Sequence, residues 1–428
     1  MGESFVAIIC VPATGALCDS GDIAWVIAAT ALVMIMTPGL GFFYGGLVRR
    51  KNLVSTIVQC MAIFAVVSLA WAIWGYTMAF GPSVLGGFIG NFQFFALNGV
   101  GSTANTVYSA TIPQLLFFAF QLKFAAITPA LIIGAFAGRI RLKPLLIFIL
   151  AWVTFVYFPV AHWIWGDGGW LHAMGVEDFA GGMVVHTTAG VSALAAALVI
   201  GRGMDFGKES RPNNVPYVIL GTAILWFGWF GFNAGSSLSA NDVAVNALVV
   251  TNLAAAAAGV SWLLMDWILK GKPSAVGMCV GFVCGLAAVT PASGFVGPQF
   301  SLVIGIIAGV ACNLVANWRA RTKLDDSLDV FACHGVGGMW GTIGTGLFAS
   351  LAINSAAGTH NGLVYGDPYF AALEAFAVAV VALYAFFGTY IILRIINIFS
   401  PLRTSTEEEK AGLDEVHFGE EAYYPASE

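Results

Sequence analysis

Charge is scarce in this chain. Only 10% of its 428 residues are Asp, Glu, Lys or Arg, against roughly 25% in soluble globular domains. With 59% hydrophobic residues, that scarcity excludes a water-soluble globular class. The net charge of −5 is modest, and no run of lysines and arginines with interleaved aromatics occurs, so no nucleic-acid partner is expected. The seven cysteines include no CxxC pair, which removes the usual zinc and redox signatures. Most lie in apolar segments and read as small hydrophobes. Cys10 and Cys18 alone stand near an outer surface, where a disulfide is compatible but unsupported. The start, MGESFVAIIC, lacks the positively charged opening of a secretory signal and is expected to be retained. No nucleophile–base arrangement or metal-ligand set is present, so neither an enzyme nor a cofactor is expected.

What the chain has instead is apolar runs, at about 23–47, 53–80, 112–137, 145–165, 180–201, 216–238, 244–269, 274–292, 300–318, 330–352 and 368–398. Runs of about 20 apolar residues span a bilayer as helices. The breaks after the first, third, fifth, seventh and ninth runs carry the basic residues, among them Arg49–Lys51, Arg139–Lys143 and Arg319–Lys323. The breaks at 81–111, 166–179, 239–243, 293–299 and 353–367 contain no Lys or Arg. Basic loops stay in the cytoplasm. The expectation is an all-α polytopic membrane protein of eleven transmembrane helices, N-terminus out and C-terminus in. Its divisions are an extracellular segment 1–22, a helical domain 23–398 and a cytoplasmic tail 399–428.

Helices 1–5 and 6–10 would then start on opposite sides, so a repeat between them is inverted. Asp178 precedes His186 by eight residues, and Asp326 precedes His334 by eight. At 1.5 Å per residue, each histidine lies roughly 10 Å inside its own face, and the two approach the midplane from opposite ends. A single histidine in such a run is as readily a core ring satisfied by a neighbouring helix. Two at matching depth point to a lined path for an ion or proton. Two imidazoles without a nearby carboxylate or thiolate are a poor metal site.

Several stretches share one resemblance: PGLGFFYGGLVRRKN at 38–52, FAAITPALIIGAFAGR at 124–139, AHWIWGDGGW at 161–170, DFAGGMVVH at 178–186, GWFGFNAGSS at 228–237 and DVFACHGVGG at 329–338. In this order they resemble the ammonium transporter family, the Amt branch of the Amt/Mep/Rh superfamily. The resemblance implies a homotrimer whose protomers each hold a narrow pore. By motif it implies that Trp165 and Ser236, with Phe124, recruit ammonium. It makes Phe124 and Phe232 a gate and His186 and His334 the pore lining. Asp178 becomes a structural carboxylate favouring cation entry, with Asp326 its counterpart. Where the family commonly has Glu-Arg, this chain has Gly138-Arg139, so that carboxylate is missing or replaced. Lys123 is expected at a helix or subunit interface, with Glu374 as a guessed partner.

After Ser400 the chain turns polar and acidic, PLRTSTEEEKAGLDEVHFGEEAYYPASE, and composition alone reads as disorder. The segment resembles the family's regulatory tail, through Gly412, Leu413, Asp414, Gly419, Glu420 and Tyr423. That implies a tail packed beneath the trimer and coupled to a PII-type signalling protein. Phe418 stands where the family commonly has His.

The chemistry agrees with the resemblance. An indole face offsets part of the dehydration of NH4+ by about 0.5–2 kcal/mol, and a hydroxyl accepts one N–H. Potassium offers no such donor. Shedding the proton before the apolar stretch avoids burying a charge. The reading is ammonium transport across the cytoplasmic membrane, with the lipid bilayer as surroundings. Its rivals are a neutral-gas channel and an ammonium receptor signalling through the tail.

Overall fold

The computed structural model describes residues 18–208 and 211–423. Cys10, half of the disulfide considered with Cys18, lies outside them. Helices occupy the expected runs: α1 (Ser20–Leu47), α2 (Arg50–Phe80), α3 (Gln114–Phe136), α4 (Leu142–Trp152, Val153–Tyr157 and Phe158–Trp165), α5 (Gly182–Ile200), α6 (Val215–Gly235), α7 (Asp242–Lys270), α8 (Ala275–Val289), α9 (Pro298–Ala320), α10 (Phe331–Val336 running into Gly337–Phe348) and α11 (Pro368–Phe399). Among the described residues, nine helices are long and apolar enough to cross a membrane. α8, with 15 residues, is a shorter apolar helix, and α10 is shortened because the chain leaves it at Phe348. A small hairpin, β1 (Ser83–Val84) with β2 (Ile89–Gly90), folds the loop after α2.

Five helix starts are set by polar side chains. Asp19, Asn214, Asn241, Ser274 and Asp367 each accept a backbone N–H from the first turn of the helix that follows them, satisfying donors a helix start leaves open. α1 packs along α6, α7 against α8 and α9, and α5 against α10 and α11.

α5 and α10 open alike. Each begins with a widened turn, Gly182–Thr187 and Phe331–Val336. In α5 the His186 N–H reaches the Gly181 carbonyl five residues back at 3.0 Å. Such π turns displace a side chain from the regular helical face and recur at functional sites. One turn beyond each histidine stands a glycine that receives the other helix. A Cβ on Gly190 would lie 1.9 Å from the Gly335 nitrogen. A Cβ on Gly338 would lie 2.6 Å from the Gly182 carbonyl oxygen and 2.8 Å from His186 Cβ. These reciprocal contacts bring the two histidine turns together. Gly190→Ala meets backbone rather than a movable side chain. It is expected to exceed the usual 1–3 kcal/mol of overpacking, read as little monodisperse protein after extraction beside Ala189→Gly.

The tail is ordered through Tyr423, contrary to its composition. α12 (Thr406–Ala411) begins with a Ser405–Glu408 capping box, and α13 (Leu413–Phe418) follows. Buried Asp414 accepts the N–H groups of Val54 and Ser55 at 3.0 and 2.7 Å, capping the start of α2. Asn52 accepts from Leu413, and the Asn214 amide donates to the Tyr423 hydroxyl. Gly412, at φ +105°, lies where a Cβ would strike Lys51. Gly419 closes α13 in the left-handed region at φ +66°, and the Glu420 N–H reaches Asp414 O at 3.4 Å. Many short contacts, each local to a polar residue, outweigh the low hydrophobicity of the segment.

Candidate functional site

The two histidines meet. Nδ1 of His186 and Nδ1 of His334 are 3.3 Å apart, with ring centroids 5.3 Å apart and planes 19° from parallel. Each is positioned by an acidic cap ahead of its helix. Asp178 accepts the N–H groups of Gly181 and Gly182 on Oδ1, and of Met183 and Val184 on Oδ2, at 2.6–3.1 Å. Asp326 accepts those of Val330 and Phe331 at 3.1 and 2.8 Å. A carboxylate is favoured there by the exposed donors and positive end of the helix dipole.

One Nδ1 of the facing pair donates and the other accepts. Two neutral rings in that state keep one Nε2–H donor and one bare Nε2 acceptor between them. His186 Nε2 is buried and has no protein partner.

Aromatic rings continue the line. His186 stacks on Trp229 at 5.3 Å and 22°, and on Phe232 at 6.0 Å and 24°. Phe232 lies 4.3 Å from Phe124, and Phe124 meets Trp165 edge-on at 6.0 Å. The Trp165 indole donates to the Asp178 carbonyl at 2.7 Å, which ties that ring to the α5 cap. Ser236, one turn beyond Phe232, is half-buried, and its hydroxyl donates to the Phe232 carbonyl at 2.8 Å. The lone pairs of that oxygen stay free to accept.

Between the rings is a cavity bounded by Leu40, Phe43, Trp229, Phe232, His186 and His334, offering about 10 Å³ to the centre of a water-sized molecule. That is about the room for one such molecule. Ammonia is of that size; a hydrated cation is not.

Sequence reasoning passed over Trp229, whose indole donates to Thr290 at 2.9 Å and fixes the face under His186. Its signal was available, since Trp229 stands three residues before Phe232, on the same side of α6. The structure also places Arg139 and Lys123. Arg139, whose customary neighbouring carboxylate is absent, pairs with Asp325 at 2.8 Å and also donates to the Gly201 carbonyl. Gly138 beside it is left-handed at φ +75°, and a Cβ would lie 2.3 Å from Asn52 Nδ2, so a glutamate there would strain the backbone and displace the Asn52 amide. Lys123 does not pair with Glu374. Its ammonium lies 5.1 Å over the Phe64 ring, while Glu374 accepts from the Glu177 backbone.

Comparison with known proteins decides the family. A model of the Ammonium Transporter Family matches residues 24–423. The chain belongs to the ammonium transporter family. It is 46% identical to an ammonium transporter of Bacillus subtilis (strain 168), over 94% of this chain and 98% of that one. Its fold matches Saccharomyces cerevisiae Mep2 with a TM-score of 0.86 at 36% identity, covering 91% of this chain and 88% of that one. It also matches a protein described as a sensor Amt protein, with a TM-score of 0.85 at 30% identity, over 93% and 98% of the two chains. This family member is a multi-pass membrane protein whose activity is ammonium transport, not catalysis.

Proposed function

We propose that ammonium is recruited at Trp165 and Ser236, passes the Phe124–Phe232 rings, gives up its proton, and crosses as ammonia beside His186 and His334. The single observation that carries this is His186, whose buried Nε2 has no protein partner and whose ring lines a cavity with room for about one water-sized molecule. A bare cation in that cavity would lose its hydration against mostly apolar walls, an unfavourable transfer. Neutral ammonia would lose far less and would find one donor and one acceptor on the imidazole pair. The proton travels separately, along the histidines or beside them.

The reading places the protein in the cytoplasmic membrane as eleven spans, N-terminus out and C-terminus in, with helices 1–5 and 6–10 as inverted repeats. The matching caps, wide turns and glycines of α5 and α10 support the repeat, and the alternation of basic loops supports the orientation. Residues 1–22, 23–398 and 399–428 are its outer segment, transport domain and regulatory tail. Assembly as a homotrimer and docking of a PII-type protein rest on the family resemblance, and on the tail's Gly412–Asp414 and Gly419–Tyr423 stretches for the latter. Likeness to a sensor Amt protein favours, as second reading, a receptor that binds ammonium without sustained flux.

Purified protein in proteoliposomes tests both. An ammonium jump yields sustained current under the first reading and only a brief transient under the second. Trp165→Leu removes the cation–π face, so half-saturation is expected to rise by roughly 2- to 30-fold with the maximal current retained. An unchanged concentration dependence would remove Trp165 from the recruitment site.

A further inference from the structure

Two buried carboxyls stand outside the pore line. Glu177, ahead of the Asp178 cap, and Glu374, in α11, are 5% and 0% exposed. Glu374 Oε1 accepts the Glu177 backbone N–H at 2.7 Å. Glu177 Oε1 accepts the Thr359 hydroxyl at 2.9 Å, the His360 N–H at 3.3 Å and the Thr359 N–H. The remaining oxygen of each, Oε2, is buried without a partner. Among the described residues neither pairs with a lysine or arginine. His360 is engaged with Asp367 at 3.0 Å, and Asp178 already serves four backbone donors.

Two ionised, uncompensated carboxylates in one buried place are unfavourable, through desolvation and through mutual repulsion. One proton removes one of the charges and turns an orphaned acceptor into a donor. The donors already present decide where it goes. Glu177, with three N–H or O–H groups directed at it, is the better anion. Glu374, with one, is the better acid.

We propose that Glu374 is a proton-binding site, held as a neutral carboxylic acid beside ionised Glu177, and that this pair clamps residues 359–360 onto the chain leading into α5. The clamp acts on transport through Glu177, whose neighbour Asp178 caps the His186 turn; that consequence alone rests on the proposed pore. Both glutamates are positioning residues, since neither touches the cavity.

The test is the infrared spectrum of the purified full chain at neutral pH, read for the carbonyl stretch of a protonated carboxyl, with proteoliposome currents alongside. Wild-type protein is expected to show the band. Glu374→Gln should lack it yet keep its ammonium current within about twofold, because the amide is a neutral isostere that still donates. Glu177→Gln should keep it, and Glu374→Lys should lose current about tenfold or more. No band in the wild type, or a difference spectrum unchanged in Glu374→Gln, overturns the proposal. If Glu374→Gln is poorly extracted, Glu374→Met is read in its place, and a difference spectrum unchanged from wild type overturns the proposal. Because the band is read without transport, a failed pore mechanism leaves this result standing, and the converse holds.

Discussion

His186→Ala is expected to collapse the preference for ammonium over potassium by about tenfold or more, while some ammonium-evoked current persists. The filter at this point is narrow as well as polar. His186 fills the space between Trp229, Phe232 and His334, and the cavity they leave admits about one water-sized molecule. Taking away the imidazole removes one wall, so water can enter and a potassium ion can keep part of its hydration. It also removes a hydrogen-bonding partner that distinguishes NH3 or NH4+ from an ion with no N–H. A neutral hydrogen bond contributes about 0.5–1.5 kcal/mol, up to about tenfold, and the loss of the wall that excludes potassium adds to it. His334→Ala should act in the same direction, since each ring is the other's partner at 3.3 Å. Paired ammonium and potassium jumps on the same proteoliposomes read the ratio directly. A ratio equal to wild type in both variants would move the filter elsewhere, to the Phe124–Phe232 rings.

What sequence made legible follows how local each signal was. Helix positions came from apolar runs of bilayer length, and the loops were sorted by where lysine and arginine stand. The histidine pair was legible because its eight-residue spacing from an aspartate occurs twice, at Asp178–His186 and Asp326–His334. Both aspartates are helix caps, Asp178 for four backbone N–H groups and Asp326 for two. Pairings between distant single residues were not legible. Arg139 finds Asp325, and Glu177 finds Glu374, across 186 and 197 positions respectively, and neither pair has a repeating pattern to announce it. The guess of Glu374 for Lys123 failed for that reason. The tail misled for a different one. Its low hydrophobicity reads as disorder, whereas its order comes from caps and hydrogen bonds to Asn52, Val54, Ser55 and Asn214.

Asp178→Ala is the second large effect, and here the loss is structural before it is functional. Asp178 is 5% exposed, and its carboxylate accepts four backbone N–H groups, two on each oxygen. An ordinary N-cap replaced by alanine costs about 0.5–2 kcal/mol. Here the donors are buried and water cannot readily replace the acceptor, so the cost should exceed about 3 kcal/mol. Asparagine keeps one acceptor oxygen and can satisfy only the pair of donors on that side. The expected order of thermal midpoints in detergent is therefore wild type, then Asp178→Asn, then Asp178→Ala. Asp326→Ala should be milder, because that cap serves two donors at 3.1 and 2.8 Å. The same order should appear in ammonium current, for a reason in the geometry. The wide turn that carries His186 is held open by this cap, so a relaxed turn withdraws the imidazole from His334 and from the Trp229 face. Equal midpoints for Asp178→Ala and wild type would mean that the Gly190–Gly335 contact alone holds the turn, and that the carboxylate serves cation entry rather than structure.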